Sequence, residues 1–387
     1  MPRAPLMQKT PRARLIAITA LLVVVVVEVA GSVLYYAGLP SEKRERLELM
    51  IGESSTWRNS AARYRGHPFL GYTGDPDFVD PSGYKPYGPD GFRVRAPFRE
   101  GAVRVVVLGG STTFGLLAPR TEDAWPALLG RALEEHIGAP VDVVNAGLPN
   151  YAMWNLLAVG SLWLPEWEPD IVIVHTGFND AFMRAYPDEG GADGAQAKIV
   201  WSVPELGFVE HVVLAMSRAA RVMWLPVLEK TGRLTGDLLL ASSRPPPSDD
   251  DVRKNAEANN GIRFRRQVKT LMHLVESTAA EVVLVGVPVS SDTSPRGAFF
   301  DVGFEGARQN ARALETIARE LGKTSVSLEH LTSPAHFVDG VHMTEEAELL
   351  KVSHLRTALA SLVRVHAMKR GLLPVDGAAA KDAHPAE

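Results

Sequence analysis

No cysteine occurs anywhere in the 387 residues. That absence removes disulfides, thiolate metal sites, iron–sulfur clusters and cysteine nucleophiles together. It leaves the compartment open, because an exported protein can do without disulfides. An excess of one charge sign is also missing: 41 basic against 45 acidic side chains give a formal charge of −4, no basic footprint for nucleic acid. Nor are there internal repeats. With 46% hydrophobic and 22% charged residues, the composition is that of a globular chain and excludes wholesale disorder. At roughly 100–200 residues per domain, the length allows one large decorated domain or two.

What the chain does have is one long apolar run, from Leu15 to Leu39, with five valines at Val23–Val27. About 20 such residues cross a bilayer as a helix. Arg12 and Arg14 precede the run, while Tyr35 and Tyr36 near its end suit the membrane–water interface. Glu28, near the middle, is costly there unless protonated or paired. An uncleaved anchor is the reading adopted. A signal peptide cut near Val29-Ala30-Gly31 or Tyr36-Ala37-Gly38 is the alternative, although neither stretch is a clean cleavage site. Arg3, Lys9, Arg12 and Arg14 lie before the run without an acid, whereas Lys43, Arg44 and Arg46 after it are interleaved with acids. The expected topology is single-pass, with the large domain extracytoplasmic, on the periplasmic or cell-surface side.

The division expected from this is a basic tail over 1–14, the anchor over 15–39, and a stalk with a Gly/Pro/aromatic-rich extension over 40–100. A main domain follows over 101–368, with an insertion at about 181–252, and a disordered tail over 374–387. In the main domain, short β-branched runs (Val103–Leu108, Val141–Asn145, Asp170–His175, Glu281–Val287, Thr324–Leu328) read as strands buried on both faces. Helical patterns lie between and after them: Glu122–Ile137, Ala152–Leu164, about Glu257–Ala279, Phe304–Leu321 and Thr344–Val365. This alternation predicts a three-layer α/β/α domain on a five-stranded parallel sheet. The insertion carries an apolar helical piece, Val209–Leu228, expected to pack on the main domain, with a lid or a membrane-facing role as the alternative, and ends in a Pro/Asp-rich loop.

The loop after the first strand runs Gly109-Gly110-Ser111-Thr112-Thr113-Phe114-Gly115. A phosphate-binding reading fails, because Leu116 stands where a P-loop needs lysine and Ser111 where a dinucleotide fingerprint needs its second glycine. A serine at the carboxyl end of a parallel strand suits a nucleophile better. Further blocks fall at corresponding places. They are Asn145-Ala146-Gly147 after the second strand, Gly177-Phe178-Asn179-Asp180 after the third, and Asp339-Gly340-Val341-His342 before the last helix. Together they resemble the SGNH (GDSL-type) hydrolase superfamily over roughly Val103–Val365, the insertion apart. One departure is visible: where that family has Gly-Asp-Ser, this chain has Gly109-Gly110-Ser111.

The resemblance implies a flavodoxin-like fold and a catalytic set of Ser111, Asp339 and His342. His342 would be the base that takes the Ser111 proton, and Asp339 would hold the other ring nitrogen. The oxyanion hole would be the N–H groups of Ser111 and Gly147 with the Asn179 amide. His175 reads as a packed strand residue, Asp180 as a turn residue or supporting acceptor, and Trp154, Trp163 and Trp167 as core. His330, His336 and His342 match no metal-ligand spacing, so neither metal nor cofactor is expected. The function so implied is a serine esterase releasing a short acyl group such as acetyl from a small-molecule, lipid or polysaccharide ester. The alternatives are an O-acetyltransferase acting on envelope polysaccharide and a catalytically silent binding or assembly protein. Protein partners are not indicated.

Overall fold

The computed structural model describes residues 11–51, 63–80, 82–93, 98–191, 199–200, 206–231, 241–242 and 247–374. The expected tail beyond Pro374, the first ten residues and parts of the insertion lie outside the described residues. In chain order the elements begin with helices α1 (Pro11–Val33) and α2 (Ser41–Met50) and the hairpin strands β1 (Tyr64–His67) and β2 (Gly71–Gly74). There follow β3 (Val103–Gly109), α3 (Ser111–Phe114), α4 (Trp125–Ile137), β4 (Val141–Gly147), α5 (Met153–Trp167), β5 (Ile171–Thr176) and α6 (Phe178–Ala181). The short strands β6 (Ile199–Val200) and β7 (Ala241–Ser242) flank α7 (Phe208–Met216) and α8 (Arg218–Lys230). The chain then runs through α9 (Asp249–Ala258), α10 (Ile262–Ser277), β8 (Glu281–Gly286), α11 (Ala298–Glu320), β9 (Thr324–Val326) and α12 (Glu345–Lys369).

These elements form two compact units. One comprises Met1–Arg63 with Trp201–Ala241, the other Tyr64–Val200 with Ser242–Glu387. The second holds a five-stranded sheet in the order β4-β3-β5-β8-β9, every neighbouring pair parallel. The chain leaves β3 to one side and returns past it to β5, so the strand order reverses beside β3, where open α/β sheets bind ligands. Valines on alternate positions of β3 (Val103, Val105, Val107) pack on Leu129 and Leu133 of α4 and Leu355 and Leu359 of α12. On the opposite face α5 and α10 meet at Gly160, where a β-carbon would come within 2.9 Å of Leu274. β5 is buried along its whole length, which is why it reads as an unbroken apolar run.

Several boundaries differ from expectation; α11 begins at Ala298, well ahead of the expected Phe304. The acidic run expected in a loop opens α9: Ser248 accepts from the Asp251 N–H, and Asp249, Asp250 and Asp251 occupy the first turn, where carboxylates favour the helix dipole. The long helix expected from Glu257 begins only at Ile262, because Gly261 adopts a left-handed conformation (φ 73°). In the other unit, Val209–Leu228 is not one helix but two, broken at extended Ser217 (φ −135°, ψ 119°). The buried residues of this piece do not belong to the α/β core as expected: Leu228 clusters with Tyr35, Leu47 and Met50.

Candidate active site

β3 ends at Gly109, and Gly110 leads into the four-residue helix α3, which starts at Ser111 and stops at left-handed Gly115 (φ 72°). A β-carbon on Gly109 would fall 2.0 Å from Thr113 Oγ1, so the turn closes this tightly only around glycine. Thr113 Oγ1 lies 2.8 Å from Nδ1 of His175, a fully buried ring. Burial and then the nearby Lys351 charge push the His175 pKa well below its usual range, so it is a neutral brace under α3.

The last block is fixed by its own backbone. The N–H of Val338 donates to His342 O (2.8 Å), Thr344 N–H to His336 O (2.9 Å) and Ser290 N–H to Gly340 O (2.8 Å). Asp339 Oδ1 accepts from the N–H groups of Val341 (3.0 Å) and His342 (2.8 Å), the local pattern that makes aspartate a turn former. The loop thereby aims the imidazole at α3. His342 Nε2 is 2.9 Å from Ser111 Oγ, and His342 Nδ1 is 2.6 Å from Asp339 Oδ2. Burial works to raise the Asp339 pKa, but hydrogen bonds from the His342 ring and from the two backbone N–H groups outweigh it and hold it at about 2. The ionised carboxylate selects the tautomer: Nδ1–H donates to Asp339, leaving Nε2 to accept from the Ser111 hydroxyl.

Asn179 opens the turn after β5, and its Nδ2 donates to Tyr151 O (2.8 Å). A β-carbon on Gly110 would lie 2.7 Å from that nitrogen, so the glycine here leaves the Asn179 amide close against the turn that carries Ser111. One amide hydrogen remains for another acceptor. Asp180 is buried; it accepts from Met153 N–H (2.8 Å) and Thr176 Oγ1–H (3.0 Å), tying the start of α5 to the end of β5. Burial pushes its carboxyl up to about 6, against those hydrogen bonds.

Gly147 departs from its expected place in the oxyanion hole. Its N–H donates to Asn145 Oδ1 (3.0 Å), and a β-carbon there would meet Phe114 N at 2.5 Å. Its requirement for glycine comes from the backbone of α3, not from an approaching substrate. One supporting residue, Arg93, escaped the sequence reading, and another, Asn145, was given no role in it. Arg93 is buried and donates to the carbonyls of Phe114 (3.1 Å), Gly115 (3.3 Å) and Ala118 (3.2 Å), while Asn145 Nδ2 donates to Phe114 O (3.3 Å). Arg93 lies in a turn-rich segment with no periodicity, so nothing local marks it.

Beside Ser111 and His342 opens a cleft of about 370 Å³. Leu116, Leu117, Trp125, Leu128 and Leu349 make it apolar, and Asp123 and Glu345 also line it. Among the described residues no cluster of His, Cys, Asp or Glu is arranged to hold a metal ion. His175 and His342 serve other partners, as above.

Residues 107–348 match the GDSL-like Lipase/Acylhydrolase family. The chain belongs to this family. Its matched span runs from β3 into α12 and takes in Ser111, Asn179, Asp339 and His342. An arylesterase of Vibrio mimicus is 37% identical over 84 residues, 22% of this chain and 40% of that protein. The match thus spans well under two thirds of that curated relative. Among solved structures, a lipase/acylhydrolase from Enterococcus faecalis is 15% identical, covering 67% of this chain and 96% of that one, with a TM-score of 0.39. A variant of an acetyl xylan esterase from Geobacillus stearothermophilus is 14% identical, covering 71% and 97%, with a TM-score of 0.38.

Proposed function

We propose that this family member is a serine esterase that cleaves esters of short acyl groups, acetyl among them, outside the cytoplasm. One observation carries the reading: Ser111 Oγ sits 2.9 Å from His342 Nε2, whose other nitrogen is 2.6 Å from an ionised Asp339. Ser111 Oγ attacks the ester carbonyl while its proton passes to Nε2, and Asp339 stabilises the imidazolium that forms. The Ser111 N–H, on the free first turn of α3, and the second amide hydrogen of Asn179 receive the developing oxyanion. Nε2–H then protonates the departing alcohol, and water, deprotonated by the same nitrogen, releases the acid.

The apolar cleft supports an uncharged acyl group lying against Leu116, Leu117 and Leu349, and the carboxylates of Asp123 and Glu345 disfavour an anionic one. The kinship with an arylesterase supports ester chemistry. The placement outside the cytoplasm rests on the apolar span Leu15–Gly38 and on the basic residues before it.

The test is hydrolysis of p-nitrophenyl acetate, butyrate and hexanoate by the purified full chain, with mass mapping of an organophosphonate label. Turnover with the label on Ser111 is expected. A label on another serine, or activity that survives without any label, overturns the assignment. A reporter joined after Glu387 should respond as an extracytoplasmic one; a cytoplasmic signal reverses the topology.

A further inference from the structure

Glu28 is the one carboxylate within the 24-residue apolar stretch Leu15–Gly38, and its partners come from far along the chain. Ser217 Oγ donates to one of its oxygens (2.7 Å) and the Arg218 N–H to the other (2.6 Å). One turn later Gly31 packs on α8 so closely that a β-carbon would lie 2.4 Å from Ala219 Cα. Ser217 is the break between α7 and α8, and the two helices fold back on each other there. Trp224 Nε1 donates to Glu210 (2.6 Å) and Arg221 Nε to Leu214 O (2.6 Å), pairs placed almost symmetrically about Ser217. From this apex α8 runs alongside the later part of the apolar stretch, Arg221 reaching the Tyr35 ring and Glu229 pairing with Lys43.

The lengths agree. Ten residues separate Glu28 from Gly38, roughly 15 Å of helix, which is half of a hydrocarbon core about 30 Å thick. α7 and α8, with nine and thirteen residues, are about 14 and 20 Å long, the first close to that depth and the second beyond it, and neither is enough to cross. Several of the backbone groups that a helix break frees are met by protein. Arg218 N–H goes to Glu28, Ala220 N–H to Ser217 Oγ, and the Leu214 and Ala215 carbonyls to Arg221. Non-helical backbone within a bilayer requires this. Among the outward side chains of the pair, Phe208, Val209, Met216, Met223, Trp224 and Val227 are exposed and apolar, like the exposed valines of α1; His211 and Lys230 are exposed too, and Arg218 at the apex donates from Nε to Tyr36 Oη (3.0 Å).

We infer that α7 and α8 form a re-entrant helical hairpin that dips into the acyl-chain region of the bilayer beside the α1 span, with its apex held at mid-depth by Glu28. The inference rests on Leu15–Gly38 being a span. It also makes that span a retained element, since a cut at Tyr36-Ala37-Gly38 would take Glu28 away from the hairpin.

The natural absence of cysteine allows a clean test. Single variants Val25→Cys, Phe208→Cys, Met216→Cys and Glu320→Cys of the full chain are labelled with a polarity-sensitive fluorophore in phosphatidylcholine vesicles. Nitroxide lipids bearing the spin near the chain end or near the headgroup are the quenchers. Quenching at Met216 should be stronger from the chain-end nitroxide, at Phe208 from the headgroup nitroxide, and absent at Glu320. Lipid contact at Val25 with water contact at Met216 overturns the hairpin while leaving the span. Water contact at Val25 overturns both. Adding Glu28→Leu to Met216→Cys should abolish the deep quenching, whereas the Val25 signal stays; deep quenching that survives removes Glu28 from the role of anchor.

Discussion

At the scale of single residues, the site depends on which groups keep or lose charge. With Asp339 held at about 2, its carboxylate is ionised throughout the neutral range, so it orients His342 without itself titrating there. Asp339→Asn should lower kcat by about 10⁴-fold, because an amide neither selects the tautomer nor stabilises the imidazolium. Ser111→Ala and His342→Ala should each remove turnover, and the double variant should be little worse than either, as measured by kcat for one p-nitrophenyl ester. Asp180 titrates the other way. Its folded pKa of about 6 stands above the unfolded 3.8, so its contribution to stability is greatest at low pH and is lost as pH rises through 6. In Asp180→Asn, Oδ1 can still accept from Met153 N–H, while the new amide donates to Thr176, whose hydroxyl can reverse its role. The variant should therefore gain on the wild type by about 3 kcal/mol between pH 4 and pH 7, read from urea unfolding at each pH. A difference that stays flat with pH would contradict the raised carboxyl.

The four-residue helix α3, which begins at Ser111, shows what an element can depend on without advertising it. Four residues cannot hold a helix alone; α3 is held by Trp125 Nε1–H on Thr112 O (2.8 Å), by Arg93 on the carbonyls at its end, and by the close approach of Gly147 beneath it. Gly147→Ala should push α3 off its seat, costing roughly 1–3 kcal/mol of stability and sharply slowing phosphonate labelling of Ser111. Unchanged labelling would mean that α3 yields without moving the serine. The strands of the sheet were legible because burial on both faces demands β-branched runs, and α12 because Thr344 caps it, accepting from Ala347 N–H (3.3 Å). That Ser111, Asn179 and His342 would be worth following was legible from their blocks, two of them after strands and the third before the last helix. The partner of the Gly147 N–H was not, since whether it faces a substrate or the Asn145 side chain depends on how the loop turns after β4. Arg93 was illegible for a plainer reason: its three acceptors lie more than 20 residues away in sequence and involve no motif.

For the molecule as a whole, the chain passes three times between its two units, leaving the first after Arg63, re-entering it at Trp201 and leaving it again after Ala241. Composition hid this, because an apolar helical piece inside an insertion reads equally well as something packed on the domain it interrupts. Long-range pairings such as those of Glu28 with Ser217 and of Tyr35 with Arg221 assign it to the N-terminal stretch. Every residue invoked in the chemistry lies in the other unit: Ser111, Asn179, Asp339, His342 and the cleft from Leu116 to Leu349. On the function and the hairpin proposed above, the two units would carry separable tasks, one concerned with the bilayer and one with the ester. A chain beginning at Tyr64, with Val200 joined to Ser242 through a short Gly-Ser linker, should lose membrane association. It should keep the kcat of the full chain toward soluble p-nitrophenyl esters, because no group that touches the reacting atoms has been removed. Flotation with vesicles and steady-state kinetics on the same preparation read the two properties separately. A folded product, verified by its cooperative unfolding, that no longer takes the phosphonate label would show that the N-terminal unit supports the catalytic geometry after all.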